Sequence, residues 1–331
     1  MERVLLIRVS ALGDVVLTQP AVRALRAAHP GIRVDLVTDL RYAELAIVYL
    51  GYDRVVPFER HNEDAAAVVA RLPEASYDAV VDLQGKLRTR ALARRVPAQR
   101  RLRLQKRSFG RALLSVVGYD PPLVDRRAAQ LYLDVLAPLG VPGDAPLALR
   151  LEGAPPPGPG LRIGLSPCAT HATKRWSPER FGALADALVE AHPEAELVLI
   201  GGPGDREVLA AVRAAARAPL SSEDVTGLPV PELARVVGGL HLMISVDTGP
   251  AHLAAGFGVP TVVIFGPTAP ERWGPVGPPH QVVRRKLDCM PCSNTGGDAC
   301  PRTDRNHACM RELEVGQVLA AAEAALAGGA R

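Results

Sequence analysis

One segment joins the end of an apolar run to residue types that bind anions. The run Leu242–Val246 is followed by Asp247, Thr248, Gly249 and Pro250, and then by small residues that include His252. The first N–H groups of a helix lack internal partners and carry the positive end of its dipole, so a helix that begins here would attract an anion. The alternative is that Asp247 only caps this helix and His252 packs half-buried against it.

The N-terminus repeats this arrangement around a carboxylate. The apolar run Val4–Val9 leads into Gly13 and Asp14, and a helical pattern follows. In open α/β sheets, ligands bind at the carboxyl ends of the strands. A carboxylate placed there can accept a proton from an attacking hydroxyl group, so Asp14 is a candidate general base. The alternative is that Asp14 caps the following helix.

Two more loops follow predicted strands in the second half of the chain. The first carries Thr170 and Lys174, and a hydroxyl and an ammonium group suit phosphate oxygens. The second begins at Gly201 and is rich in glycine, but its spacing differs from the dinucleotide-binding pattern Gly-x-Gly-x-x-Gly. We therefore expect Asp205 or Glu207 to hold a ribose or base, and we do not expect a nicotinamide site. Lys174 as an ordinary surface lysine is the alternative reading.

Four of the five cysteines fall within 21 residues, at Cys289, Cys292, Cys300 and Cys309. Four thiolates among turn-forming residues suit a tetrahedral zinc ion with a structural role. Iron is the alternative metal, His307 is an alternative ligand, and free thiols in a loop are a third possibility. A closed site with four protein ligands leaves no open position for chemistry.

A basic stretch contrasts with the mild formal net charge of +4. Between Leu83 and Tyr119 the chain has eleven lysines and arginines and no acidic residue. Such a stretch attracts a polyanion, which could be a nucleic acid, an anionic lipid or a phosphorylated glycan. A solvated surface in an arginine-rich protein is the alternative.

The elements that must position these residues alternate along the 331-residue chain. Continuous apolar strands separated by helices indicate parallel sheets covered on both faces. The predicted strands are Val4–Val9, Val34–Thr38, Ala79–Leu83, Arg162–Ser166, Glu196–Ile200, Leu242–Val246 and Thr261–Phe265. The predicted helices are Val15–Ala28, Asp64–Leu72, Ala129–Leu136, Pro178–Ala191, Arg206–Ala216, Val230–Val237 and Ala251–Gly256.

A segment rich in proline and glycine interrupts this alternation, and it predicts a linker at 153–160 between domains 1–152 and 161–331. The cysteine-rich loop at 289–309 falls in the second domain. No apolar run approaches the length of about 20 residues that a membrane-spanning helix needs. The chain also opens on a strand without the layout of a signal peptide. We therefore expect a cytoplasmic protein, in which disulfide bonds are disfavoured.

Three motifs, taken together, resemble glycosyltransferase family 9, the ADP-heptose:lipopolysaccharide heptosyltransferases. They are Val-Ser-Ala-Leu-Gly-Asp-Val at 9–15, Lys-Arg-Trp at 174–176, and Asp-Thr-Gly-Pro-Ala-His at 247–252 followed by Gly-Val-Pro-Thr-Val-Val-Ile-Phe-Gly-Pro-Thr at 258–268. The resemblance extends from the first strand to about Pro275. It implies an α/β protein of the GT-B fold, in which two Rossmann-like domains with parallel sheets face each other across a cleft.

The resemblance also implies a reaction, the inverting transfer of a heptose from ADP-L-glycero-D-manno-heptose to the lipopolysaccharide inner core, either Kdo-lipid A or a heptosylated core. Catalysis in this family generally needs no metal. By position, Asp14 matches the catalytic base and Lys174 the phosphate-binding lysine. The donor-phosphate motif matches Asp247, Thr248, Gly249 and His252, and the acidic donor contact falls near Asp205 or Glu207.

The basic stretch would then bind the anionic acceptor at the cytoplasmic face of the inner membrane, with the first domain as the acceptor-binding domain and the second as the nucleotide-sugar domain. The arginines on one predicted helix are Arg88, Arg90, Arg94 and Arg95. Two alternatives remain, an epimerase-like enzyme of the same fold and a basic nucleic-acid-binding protein with a zinc knuckle. The second alternative leaves Asp14, Lys174 and the Asp247–His252 segment unexplained, so no nucleic acid partner is expected.

Overall fold

The computed structural model describes residues 1–59, 63–105, 126–223 and 225–329. The described residues form two compact units, the first made of residues 1–105 and 127–153 and the second made of Arg126 and the residues from Ala154 onward. Lys106, Arg107 and Arg111 of the basic stretch lie outside the described residues. No described helix is both long and apolar enough to cross a membrane.

The described part of the first unit is built on a parallel sheet with the strand order β3-β2-β1-β4-β5. Its strands are β1 (Arg3–Ile7), β2 (Arg33–Thr38), β3 (Arg54–Pro57), β4 (Tyr77–Asp82) and β5 (Ala98–Arg103). In the register of the sheet Ile7 lies opposite Val37 and Asp82, so the carboxyl ends of the three central strands share one edge. The loop that carries Asp14 leaves the sheet at this edge.

The second unit repeats this design, with the strand order β10-β9-β8-β6-β7 among its described residues. Its strands are β6 (Arg162–Ser166), β7 (Glu196–Leu199), β8 (Leu242–Val246), β9 (Thr261–Phe265) and β10 (Gln281–Arg284). Strand β8 pairs in parallel with both β6 and β9. The loops after these three strands carry Lys174, Asp247 and Thr268, and the common edge brings the loops together.

Helices connect the strands in both units. In chain order they are α1 (Leu12–Val16), α2 (Gln19–Ala28), α3 (Ala43–Tyr49), α4 (Ala65–Ala70), α5 (Leu87–Arg95), α6 (Ala128–Leu136), α7 (Pro178–Ala191), α8 (Arg206–Ala215), α9 (Val230–Gly238), α10 (Gly249–Gly256), α11 (Pro270–Trp273), α12 (Ala308–Arg311) and α13 (Val315–Gly328). Helix α7 begins as the sequence predicts, because Ser177 caps it by accepting a hydrogen bond from the Arg180 N–H and Pro178 takes the first position.

The central strands are buried on both faces. Leu5 and Ile7 of β1, and Ile244 of β8, have no exposed surface. Burial of each such side chain contributes about 1.5–3 kcal/mol to the stability of the fold. Helices α7 and α8 approach closely at Gly182, where an added Cβ would lie 2.7 Å from the Ala215 carbonyl carbon. The edges of both sheets that carry the polar loops therefore rest on rigid, tightly packed cores.

The structure corrects several boundaries. The helix predicted over Val15–Ala28 is two helices, because Pro20 has no N–H to continue the backbone hydrogen bonds. At the break the Thr18 hydroxyl donates to the Val15 carbonyl at 2.6 Å and accepts from the Tyr52 hydroxyl. Strands β3, β5 and β10 were not predicted, and all three are edge strands with polar or charged residues. The prediction also lacked α3 and the C-terminal helix α13. Strands β6, β8 and β9 have the predicted bounds.

Candidate functional site

Asp14 forms a compact polar cluster in the first unit. Its Oδ1 lies 2.5 Å from Nη2 of Arg8, a residue that is only 6% exposed at the end of β1. The Tyr132 hydroxyl of α6 donates to the same oxygen at 3.3 Å, and the Arg8 guanidinium lies over the Tyr132 ring. Nη1 of Arg8 also donates to the Leu83 carbonyl at 2.6 Å. Oδ1 is thus held by two side chains, a guanidinium and a phenol.

The second carboxylate oxygen of Asp14 points the other way. Oδ2 accepts a hydrogen bond from the Ala11 N–H at 3.3 Å, and the side chain is 23% exposed. Ala11 is the N-cap of α1 and Asp14 is its third residue, so the alternative that Asp14 itself caps the helix is wrong in detail. The carboxylate therefore supports the first turn of α1 and remains partly exposed.

Asp247 and Lys174 form the centre of the second cluster. Nζ of Lys174, at the end of a short 3-10 helix after β6, lies 2.8 Å from Asp247 Oδ2, and both side chains are largely buried. The Thr268 hydroxyl, in the loop after β9, donates to the same oxygen at 2.7 Å. Asp247 therefore ties together the loops after β6, β8 and β9 and holds the Lys174 ammonium group in place.

The helix that follows Asp247 begins as an anion-binding terminus would. Thr248 is the N-cap of α10 in an extended conformation, and Gly249 and Pro250 occupy the first turn. The Thr248 hydroxyl also lies 3.2 Å from the Ser245 hydroxyl, which fixes the cap to β8. His252 is buried in the first turn of the helix, 7% exposed. The N-terminus of α10, which is the positive end of its dipole, therefore lies at the strand edge whose loops also carry Lys174.

Asp205 and Glu207 occupy different environments in the glycine-rich loop. Asp205 Oδ2 accepts the Gly202 N–H at 2.8 Å, so this carboxylate closes the turn. Burial, and then the charge of Asp205, raises the pKa of the neighbouring Cys168 thiol to about 12, which supports a packing role for this cysteine. Glu207 is exposed in the first turn of α8, and Thr170 is exposed after β6. Glu207 is therefore the more accessible of the two acids.

The four clustered cysteines are free thiols in this structure. Burial, and then the nearby Cys289 and Cys300 thiols, raises the pKa of Cys292 to about 11. Cys309, which is buried in α12, has its pKa raised to about 12 by burial and then by the three other thiols. Among the described residues no group of three His, Cys, Asp or Glu side chains is arranged to hold a metal ion. The donor set nevertheless suits zinc or iron, because soft thiolate ligands select these metals.

His307, the alternative metal ligand in the sequence analysis, binds a backbone carbonyl in the structure. Its Nε2 lies 2.5 Å from the Thr173 carbonyl oxygen, so the imidazole binds the segment that carries Lys174. In this structure the ring is engaged by backbone, and the tetracysteine set is the candidate metal-binding group.

The basic helix α5 separates its arginines. Arg90 and Arg94, one turn apart, line a cavity of about 730 Å³ together with Arg101 and Arg103 of β5. Asp82 and Asp134 also line this cavity. Arg88 and Arg95 are exposed, and neither is among the described residues that line the cavity. The predicted group of four arginines is therefore split into two that share a concave surface and two that do not.

Sequence reasoning missed several residues that the structure brings into these clusters. Arg8 had a signal, because a lone cation at the end of the apolar run Val4–Val9 requires a partner when the strand is buried. Thr268 belonged to a recognised motif but carried no assigned role. Tyr132 had no signal, since it lies more than 100 residues from Asp14 in the chain.

Comparison with known proteins places the chain in one family. The family model of glycosyltransferase family 9 (heptosyltransferase) matches residues 65–299. Lipopolysaccharide heptosyltransferase 1 of Pseudomonas aeruginosa is 31% identical over 314 residues, covering 88% of this chain and 86% of the relative.

Two solved structures share the fold. The glycosyl transferase family 9 protein of Veillonella parvula has a TM-score of 0.77 at 23% identity, covering 98% of this chain and 97% of that one. The E. coli heptosyltransferase WaaC with ADP has a TM-score of 0.65 at 24% identity, covering 88% of this chain and 96% of that one.

Proposed function

This chain belongs to glycosyltransferase family 9, and from that premise we propose that it transfers a heptose from ADP-L-glycero-D-manno-heptose to the lipopolysaccharide inner core. Each of its two α/β units is built on a parallel sheet, as in the GT-B fold that the resemblance implied. The observation that carries the proposal is the family match over residues 65–299, joined by a heptosyltransferase relative that is 31% identical over most of its length. The solved relative with ADP supports the nucleotide of the donor.

We assign Asp14 as the general base. An acceptor hydroxyl group attacks poorly until its proton is removed, and a positioned base is typically worth about 10²–10⁴ in rate. Arg8 and Tyr132 both bind Oδ1, which supports a fixed orientation of the carboxylate. Oδ2 is then the oxygen that takes the proton. In other catalytic sites, too, the base is held in its orientation by a third group.

The leaving group is stabilised by residues of the second unit. When the glycosidic bond breaks, the diphosphate of ADP gains negative charge. Lys174 and the N-terminus of α10 at Thr248 and Gly249 supply fixed positive charge to that group. Asp247 holds Lys174 through an ion pair of 2.8 Å, so it is assigned to ordering the loop. This fixed electrostatic environment supplies the stabilisation that a metal ion gives in other transferases.

His252, in the first turn of α10, completes the wall of this donor site beside the diphosphate. The loops that follow β6 and β7 hold the rest of the nucleotide. Thr170 is placed at the phosphates, and Glu207 rather than Asp205 is assigned to the ribose or base, because Asp205 closes its own turn with the Gly202 N–H. These assignments make the second unit the nucleotide-sugar unit and the first unit the acceptor unit.

The acceptor is anionic, and the cavity beside β5 has matching charge. Arg90 and Arg94 line it with two further arginines, and such a surface attracts carboxylates and phosphates of a core oligosaccharide. Arg88 and Arg95, which are exposed, are placed at the anionic surface of the inner membrane that carries the acceptor. The enzyme is then peripheral on the cytoplasmic face of that membrane.

The cysteines at 289, 292, 300 and 309 are assigned to a structural metal ion, zinc or alternatively iron. Cys292 and Cys309 both lie against one segment, because the Cys292 N–H donates to the Pro267 carbonyl at 3.0 Å and a Cβ built on Gly266 would lie 3.5 Å from the Cys309 Sγ, which supports a shared location. A closed set of four thiolates stabilises a loop and leaves no position for chemistry. Elemental analysis of protein purified without added metal tests this assignment. About one equivalent, lost in Cys292→Ser, is expected, and less than a small fraction of an equivalent would contradict it.

The two alternatives are less well supported. An epimerase-like enzyme would act on a sugar nucleotide alone and has no use for a basic acceptor cavity. A nucleic-acid-binding protein would use the basic stretch but leaves the Asp14 and Asp247 clusters without a role, and it would show steep salt-dependent binding to DNA or RNA. Neither alternative accounts for the match to the heptosyltransferase family.

A donor and acceptor screen tests the proposed function. Purified protein is incubated with ADP-heptose, UDP-glucose or GDP-mannose, each with Kdo₂-lipid A and with a heptosylated core, and products are followed by mass spectrometry. The expected result is an acceptor heavier by one heptosyl residue, with release of ADP, only from ADP-heptose. Acceptor-independent turnover of the donor, or transfer from another nucleotide sugar alone, would contradict the proposal.

A further inference from the structure

The cysteine-rich loop at 289–309 is bonded directly to the segment that carries Lys174. Thr173, which is 4% exposed, donates its N–H to the Gly297 carbonyl at 3.0 Å. Its hydroxyl group donates to the same carbonyl and accepts the Gly297 N–H, both at 2.8 Å. The Thr173 carbonyl in turn meets His307 Nε2 at 2.5 Å. One residue adjacent to Lys174 therefore joins two points of the loop.

Gly296 of the same loop lies on the aliphatic stem of Lys174. A Cβ built on Gly296 would lie 2.9 Å from both Cγ and Cδ of Lys174, and the residue has a φ of +91°. Glycine is required both by this backbone conformation and by the close approach. Because Asp247 binds Nζ at 2.8 Å, the lysine is held at its stem and at its tip.

The opposite side of the loop is anchored next to Thr268. The N–H groups of Cys292 and Ser293 each donate to the Pro267 carbonyl at 3.0 Å, and the Trp273 indole N–H donates to the Asn294 carbonyl at 2.9 Å. Pro267 directly precedes Thr268, which binds Asp247. The loop therefore bridges the two segments that meet at Asp247.

We propose that the cysteine-rich loop is a brace that holds Lys174 in the orientation required by the diphosphate, with Thr173 as the positioning residue. A free lysine side chain loses rotamer entropy when it is ordered, and a brace places this loss in folding rather than in binding. The nature of the ligand rests on the proposed function, whereas the ordering of Lys174 does not. Binding of the diphosphate and order in the loop are then reciprocally coupled.

The test compares Thr173→Val with Thr261→Val as a matched control. Both variants remove the hydroxyl group of a buried threonine, but Thr261 bonds to the Val259 carbonyl at the start of β9, the end of the strand away from the loop. The first readout is the rate at which an acetylating reagent modifies Lys174, followed by peptide mass spectrometry. The second is the Kd of ADP, measured by calorimetry.

Thr173→Val is expected to raise the labelling rate of Lys174 several-fold and the Kd of ADP about tenfold. Thr173→Ser is expected to restore both, and Thr261→Val to leave both unchanged. Should Thr173→Val fold poorly, Trp273→Phe, which keeps an aromatic ring but removes the indole N–H bond to the Asn294 carbonyl, is expected to shift both readouts in the same direction.

A wild-type labelling rate for Lys174 in both Thr173→Val and Trp273→Phe would overturn the brace. A raised labelling rate in a protein whose wild-type form does not bind ADP would support the brace and refute the proposed donor. Failure of the brace and failure of the proposed donor therefore give different results.

Discussion

Replacement of Arg8 by methionine isolates the contribution of the cation behind Asp14. Methionine fills much of the volume of the arginine stem inside the apolar strand β1, but it removes the guanidinium. Three contacts are lost, the ion pair with Asp14 Oδ1 at 2.5 Å, the hydrogen bond to the Leu83 carbonyl at 2.6 Å and the stacking on the Tyr132 ring. Tyr132 alone then holds Oδ1.

The size of the effect follows from the burial of the pair. The side chains of Arg8 and Asp14 are 7% and 23% exposed. The loss should therefore lie between the roughly 0–1 kcal/mol of a surface pair and the roughly 3–5 kcal/mol of breaking a buried one. The orphaned Leu83 carbonyl adds about 1–3 kcal/mol, while removal of the largely desolvated guanidinium offsets part of it. We expect the free energy of unfolding to fall by about 2–4 kcal/mol.

The effect on catalysis should be confined to the chemical step. A base that loses its orienting partner retains part of the about 10²–10⁴ that general-base catalysis provides, so we expect kcat to fall about 10–100-fold. The KM for ADP-heptose should not change, because Arg8 lies in the first unit and the residues proposed to bind the donor lie in the second. Arg8→Lys, which keeps the charge, should recover much of the loss.

A double-mutant cycle measures whether Arg8 acts through Asp14. If it does, Arg8→Met should lower kcat in the wild-type background and have little further effect in the Asp14→Asn background. Steady-state rates at saturating donor and acceptor, with thermal unfolding as the folding control, give the four corners. Equal effects of Arg8→Met in both backgrounds would refute the reasoning, as would an unchanged kcat in the single variant.

Three further predictions address the arginine-lined cavity beside β5 and the cores of the two units. Arg94→Gln should raise the KM for the anionic acceptor about three- to tenfold. Arg95→Gln, the matched exposed neighbour outside the cavity lining, should change this KM little, and equal effects of the two variants would argue against acceptor binding in the cavity. Burial raises the pKa of Asp35 above its usual value of 3.8. The contribution of this group to stability is therefore full below that pH and is lost as pH rises through the folded-state pKa. Asp35→Asn should raise Tm at pH 8 and lose that advantage near pH 4, and equal shifts at both pH values would contradict this. Gly182→Ala places a Cβ 2.8 Å from the Ala215 Cβ and should lower the free energy of unfolding by about 1–3 kcal/mol, with the Kd of ADP unchanged. An unaltered Tm would show that α7 and α8 can separate.

The central strands of both sheets could be predicted because they leave an unambiguous pattern. Runs such as Leu242–Val246 are continuous and apolar, as strands covered on both faces must be. Strand β5 lacks that pattern, since Ala98–Arg103 lies at an edge and carries three arginines. An edge strand forms because its neighbour offers hydrogen bonds, and that information is not local in the sequence.

The candidate site shows the same division. Asp14, Lys174 and Asp247 could be identified because each follows a predicted strand at the edge where ligands bind. Their partners could not be identified, because Lys174 and Asp247 are joined only when β6 and β8 pair, and Gly296 reaches Lys174 across more than 100 residues of chain. Helical periodicity could have separated Arg90 and Arg94 from Arg88 and Arg95, since residues four apart share a face.

The most direct test of the account is the rate of heptosyl transfer to Kdo₂-lipid A by Asp14→Asn at saturating ADP-heptose. Asparagine keeps the shape of the side chain but cannot serve as a base. The account predicts a kcat lower by about 10²–10⁴, with the Kd of ADP unchanged. Transfer by Asp14→Asn at a rate close to that of the wild-type protein would contradict it.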